Sequence, residues 1–279
     1  MTAAPQTRER RRLRGLPGFY AVVMRTAVQS QFQYRTANYL YMLGMIAEPV
    51  VYLVVWSAVA DAQGGAVEGI TAGEFAAYYI VWTLVRNMNV VFTPYGWEQR
   101  IRQGELSGQL LLPVHPLHYD LAYFAGWKFV VILLWIPIAA VLTLVFSPVF
   151  DVTALELLVF VLAIWGAYLI RSLLLEALGM ITFWTTRVSA LYQLWFTAEL
   201  LLSGRLLPLA LLPGWAQTVA AWSPFPSTFG FPIEALVGNL STGQLWAGIG
   251  VQLIWIGVGT LLATGVFRLG VRRYGAVGN

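Results

Sequence analysis

The chain has no cysteine, one lysine and two histidines in 279 residues, and only 11% of its residues are charged. Without cysteine there is no disulfide, no thiolate metal site and no cysteine nucleophile. The single lysine, Lys128, lies between Trp127 and Phe129. A phosphate loop of the form G-x-x-x-x-G-K-[ST] therefore cannot be written anywhere in the chain. His115 and His118 are flanked by prolines, with no G-x-S-x-G elbow in the chain and no acidic cluster around them. Two polar residues at a surface account for them better than a metal site or a nucleophile's base. A soluble domain carries about 25% charged residues, and little of this sequence is left over for one.

What is present is apolar: 58% of the residues are hydrophobic and 14% aromatic. Six long runs occupy roughly 37–60, 74–93, 120–147, 154–184, 189–207 and 242–267. About 20 mostly apolar residues let a helix cross the hydrocarbon of a bilayer. The runs are continuous, as in "VVILLWIPIAAVLTLVF". They lack the in–out alternation over about 10 residues that a membrane barrel strand shows. The expected fold class is an all-α polytopic membrane protein with six spans. "SAVADA" at Ser57–Ala62 has the small-residue pattern of a leader cleavage site but lies too far along the chain. Residues 61–71 read as the first outer loop.

Charge divides the chain more sharply than its net value of +4 suggests. Seven arginines lie from Arg8 to Arg35, Arg100 and Arg102 follow the second run, Arg187 the fourth, and Arg268, Arg272 and Arg273 the sixth. The alternate connections hold Arg205 alone, with Asp61, Glu68, Glu74, Asp151, Glu156 and Glu234. Basic bias in short loops sets orientation, so both termini are expected in the cytoplasm. "RERRRLR" at the start is explained by topology and anionic headgroups rather than by nucleic acid.

Residues 1–35 form a basic N-terminus and a helix expected to lie in the membrane interface. Tyr20, Val23, Met24, Ala27 and Val28 share a face opposite Arg25, Gln29 and Gln33. Residues 36–279 form the six-span domain. Within it, 94–117 is the longest inner polar connection after the N-terminus. Trp97 and Ile101 share a helical face, Glu98, Arg100, Arg102 and Glu105 supply charge, and Gly104 and Gly108 interrupt the helix. This surface suits either a cytoplasmic partner or a plain connector. Residues 204–240 are rich in Gly and Pro yet apolar, with Gly204, Pro208 and Pro213 breaking the chain and Trp215 and Trp222 as surface anchors. They read as a re-entrant or interfacial hairpin on the outer face. Asn239 begins a sequon-like triplet of a kind common by chance.

Inside the runs, Glu48, Glu176 and Glu199 balance Arg86, Arg171 and Lys128. Charges at such positions are costly and face protein or water. They are either interhelical ion pairs or a polar route, and Glu48 is expected to pair with Arg86. Pro49 is expected to kink the first span.

These features together resemble the permease subunits of ABC type-2 (ABC-2) exporters, in the bacterial branch formerly described only as a domain of unknown function. The resemblance is carried by "QFQYRTANYL" entering the first span, "WEQRIRQGELSGQLLLPVHPL" after the second, "LLSGRLLPLALLPGW" closing the fifth and the tail "FRLGVRRYG". It implies a chain without catalytic or metal residues, in a bacterial cell membrane. It further implies two ATPase partners that hold ATP and Mg, and a second permease half, paralogous or identical. It places an ATPase-coupling helix in Glu98–Pro113. "LSGQL" at Leu106–Leu110 looks like the signature of ABC ATPases themselves, but without a phosphate-loop lysine that match is chance. An ion-driven secondary transporter or channel, and a membrane-embedded enzyme, are the alternative functions.

Overall fold

The computed structural model describes residues 15–33, 35–67, 69–238 and 240–275. The basic run Arg8–Arg14, Glu68 and Asn239 lie outside the described residues. The described chain is helical, with twelve α-helices and one two-stranded hairpin, Ala66–Val67 paired antiparallel with Ile70–Thr71.

Helix α1 is Leu16–Gln33, and α2, Arg35–Ala62, carries Pro49 inside it. Helix α3, Ala72–Met88, is buried along nearly its whole length. It is the axis of the largest core cluster, where Trp56 stacks on Phe75 and Tyr52 on Tyr79 with centroids 4.8 and 5.2 Å apart. The short α4 (Pro94–Arg102) and α5 (Leu106–Leu110) follow. Next come the long α6 (Pro116–Phe146) and α7 (Ala154–Met180), the latter extended by a 3-10 turn to Phe183. Helix α8 is Ser189–Leu202. Three short helices then follow, α9 (Gly214–Ala221), α10 (Phe225–Thr228) and α11 (Gly230–Val237), before the long α12 (Thr242–Val271).

Three helical stretches are long and apolar enough to cross a membrane: Pro116–Phe146, Ala154–Phe183 and Thr242–Val271. Of the other three apolar runs, one lies in a long helix that is apolar over a shorter stretch and two form short helices, which is where the structure departs from six uniform spans. Helix α3 ends at Met88, and α8 ends at Leu202, ahead of Gly204 at φ +83°. At about 1.5 Å per residue these two fall short of about 30 Å of hydrocarbon. In α2 the apolar stretch is Gly44–Ala60.

Helix α1, expected to lie in the membrane interface, packs on a neighbouring helix. Its apolar row is buried against α6: Val23 and Ala27 are covered, Tyr20 reaches His118, and the Met24 backbone lies against Gly126. Any Cβ at Gly126 would come within 2.5 Å of the Met24 carbonyl oxygen. An amphipathic pattern has the same signature whether lipid or a neighbouring helix covers it. Arg25, Gln29 and Gln33 are exposed or nearly so on the other side.

Candidate functional site

The segment 94–112 is fastened to the basic end of the bundle. Pro94 starts α4 at the position where a missing N–H costs nothing. Trp97 is 0% exposed, with its ring edge-on to Phe267 and its Cβ against Gly179. Gly179 admits no side chain, because a Cβ there would lie 2.8 Å from Trp97 and 2.9 Å from Pro94. Arg100 forms a fork with Asp120, donating at 2.6 and 2.7 Å, and its guanidinium sits 4.0 Å over the Phe92 ring. Glu98 accepts from the Val188 amide at 3.1 Å and pairs with Arg102 at 3.2 Å. Gly104 turns the chain at φ +76°, Leu106 is buried, and Ser107 meets the Tyr274 hydroxyl at 3.2 Å.

The segment thus touches α6, α7, the loop before α8 and the end of α12. Trp97 and Arg100, expected to couple to a partner, are placed against the rest of this chain. Trp97 has no exposed surface, and Arg100 is committed to Asp120, itself 3% exposed. Arg102, Glu105, Gln99 and Gln103 remain outward, with Leu110–Leu112 beside them, while Ile101 is half-buried. Asp120 escaped the sequence reading because it lies 20 residues from Arg100, and only the fold brings the two together.

His115 caps α6 by accepting from the Leu117 amide and lies against Phe267, ring centroids 4.1 Å apart. Burial, aided by His118 and Arg268, holds its pKa below the usual histidine value. Among the described residues no group of three or more His, Asp or Glu could hold a metal.

A second polar cluster lies among α2, α3, α7 and α8. Arg86 and Glu48 meet at 2.5 Å, and Arg205 stands 4.0 Å from the other oxygen of Glu48. Arg171 forks onto Glu199 at 2.7 and 2.9 Å and also donates to the Asn89 carbonyl. Asn89 in turn donates to the Thr228 carbonyl at 2.5 Å. Lys128 donates to the Val90 carbonyl and is enclosed by the rings of Phe124, Trp127 and Tyr168. These contacts satisfy the Asn89 and Val90 carbonyls in the non-helical stretch after α3. Glu176 is brought to no cation: it is fully buried and its Oε2 lacks a hydrogen-bond partner among the described residues.

The 204–240 segment is seated on α3 and α7. Tyr78, Tyr79 and Trp82 donate to the carbonyls of Gly204, Leu206 and Arg205 at 2.6, 3.1 and 2.9 Å. At Gly204 a Cβ would fall 2.9 Å from Gly230. Pro208 precedes the 3-10 turn Leu209–Leu211, and Pro213 precedes α9. Trp215 and Trp222 stand 73% and 85% exposed. Burial raises the Glu234 carboxyl to about 7. It lines a cavity of about 540 Å³ with Glu74, Tyr78 and Pro208.

No curated protein matches the chain. The sequence model of the family described as "ABC-2 family transporter protein" matches residues 46–278, a stretch that takes in both polar clusters, the 204–240 segment and all three full-length spans. On that match, covering most of its length, the chain belongs to the ABC-2 transporter family.

Proposed function

We propose that this permease subunit is one half of the membrane part of an ATP-driven exporter that moves an amphipathic solute, lipid or peptide out of a bacterial cell. ATP and Mg would be held by two separate ATPase chains, since this sequence contains no phosphate-loop lysine. Six crossings are proposed, with α3 shielded inside the protein and α8 completed by the hydrogen-bonded stretch after it. Helix α8 buries little besides Glu199, which leaves it free to meet a second permease, paralogous or identical.

The observation that carries the reading is the fastening of 94–112. Force applied to α4 and α5 reaches α6 through Arg100–Asp120, α7 through Trp97–Gly179, α12 through Trp97–Phe267, and the tail after α12 through Ser107–Tyr274. A two-state bundle of this kind is biased by a partner that prefers one arrangement. The contact surface for an ATPase is then Gln99, Arg102, Gln103 and Glu105, not Trp97 or Arg100. Purification of the complex with its ATPases, followed by ATPase and transport assays on one preparation, tests this. Arg102→Glu with Gln99→Glu should reduce assembly or uncouple hydrolysis from transport, with the permease still folded. Full coupled transport in that variant would show the segment to be a connector only.

A further inference from the structure

Arg86, Arg171 and Arg205 line one partly open cavity of about 280 Å³, and no acid lines it. Their counter-charges, Glu48 and Glu199, approach from outside the lining. Three guanidiniums thus share two carboxylates. Glu199 is fully used by Arg171, and Glu48 lies at 2.5 Å from Arg86 but only 4.0 Å from Arg205. Arg205 is 12% exposed, no hydrogen bond is made by its guanidinium among the described residues, and its Nε is buried without a partner, as is the Nε of Arg86. The Arg205 guanidinium rests instead against Phe196 and Phe229, 5.0 and 5.7 Å from their ring centres. A guanidinium presents five donors in a planar fork that fits carboxylate or phosphate, and a buried cation with idle donors is costly.

We infer that this cavity binds an anionic group, a phosphate or carboxylate, seated between the open donors of Arg205 and Arg86 with the rings of Phe196 and Phe229 beside it. Tyr192 and Thr93 supply further hydroxyls in the lining. The anion is the head of an amphiphile or a free anion; both have the chemistry that Arg205 lacks. The inference rests on the transport reading for its purpose, since it names the charge of what would be carried. Its test needs only the permease chain, so it fails or stands separately from coupling to an ATPase.

The experiment uses the purified full-length chain in a maltoside detergent and radiolabelled dodecyl phosphate as probe, with inorganic phosphate and dodecyltrimethylammonium as competitors. Saturable binding is expected, unaffected by the cationic competitor. Arg205→Gln should weaken it by about tenfold or more, the cost of losing a hydrogen bond to a charged group. Arg205 holds no close ion pair, so this variant leaves Glu48–Arg86 and Arg171–Glu199 in place. Glu48→Gln should tighten binding, because it frees Arg86 as well; a misfolded variant could not gain affinity. Competition by inorganic phosphate at equal concentration would assign a free anion, and its failure to compete would assign an amphiphile head. Binding unchanged by Arg205→Gln, weakened by Glu48→Gln, or displaced equally by the cationic amphiphile would overturn the inference.

Discussion

At the residue scale, the ion pairs are unequal, and burial decides how. Arg100 and Asp120 have side chains 12% and 2% exposed and share two short hydrogen bonds. Removing one partner of such a pair costs about 3–5 kcal/mol. Asp120→Asn should therefore lower the melting temperature of the purified chain steeply, and Arg100→Met with Asp120→Leu should lose less than the two single changes together. Glu48 and Arg86 are each about 30% exposed, with Arg205 in reserve. Arg86→Met leaves Glu48 a second cation, whereas Glu48→Gln leaves two arginines without an acid. Thermal melts should rank Glu48→Gln as the more damaging, and the reverse order would show that Arg205 does not compensate. Glu234 supplies a pH dependence. Burial raises its carboxyl from 4.5 in the unfolded chain to about 7 in the folded protein, so the folded state binds the extra proton between those values. Stability is fully present below about 4.5 and falls as pH rises through about 7. Glu234 keeps some solvent contact, which reduces the loss to about 1–2 kcal/mol. Glu234→Gln should flatten melting temperature between pH 5 and 8 and raise it at pH 8.

At the element scale, the legible parts of the sequence were those where one residue type has one use. The long runs of α6, α7 and α12 could be read directly, because a continuous apolar stretch of that length has few other fates. Thr71 with Glu74, Thr153 with Glu156 and Ser241 with Gln244 form capping boxes that fix where α3, α7 and α12 begin. Trp97 and Ile101 were correctly assigned to one helical face, but the pattern does not state what covers that face; here it is α7 and α12 rather than a partner. Arg100 was equally ambiguous, since its acid lies 20 residues away in α6. The broken segment after α8 was legible as irregular from Gly204, Pro208 and Pro213. Its satisfaction was not, because the donors sit on α3, more than 120 residues earlier. That dependence is testable. Tyr78→Phe removes the donor to the buried Gly204 carbonyl and nothing else of bulk. An unsatisfied buried acceptor costs about 1–3 kcal/mol, so the variant should melt earlier and expose 204–212 to protease while α6 and α7 stay protected. A wild-type melting curve would mean that the carbonyl finds another donor.

At the scale of the whole molecule, the charge asymmetry has two physical causes that point the same way. Glu74 and Glu156 are N3 residues of capping boxes, where a carboxylate meets backbone N–H groups and the positive end of a helix dipole. Arg268 lies in the last turn of α12, at the negative end of its dipole. Acids therefore gather at the end holding the starts of α3, α7 and α12, and bases at the end holding α4, α5 and the tail from Arg268 to Arg273. The basic bias that orients membrane proteins during insertion is laid over the same division. Dipole complementarity alone fixes neither end with respect to the cell, but the arginines that are not at helix ends do. Arg102 and Arg187 serve no dipole of a spanning helix, and Arg8–Arg14 precede every span. We propose on that basis that the α4–α5 end faces the cytoplasm. Accessibility tags at residue 5, within Gln99–Gln103 and at the C-terminus should therefore report the cytoplasm, and tags in Gly64–Val67 and beside Gly214 the outside. Tags on one side of the membrane are separated by an even number of crossings, so an even number must lie between residue 5 and Gln99–Gln103. That requires α2 and α3 to count as two crossings despite the shortness of α3. An outside signal from Gln99–Gln103 would make α3 a buried helix that does not cross, and would reduce the six-crossing proposal accordingly.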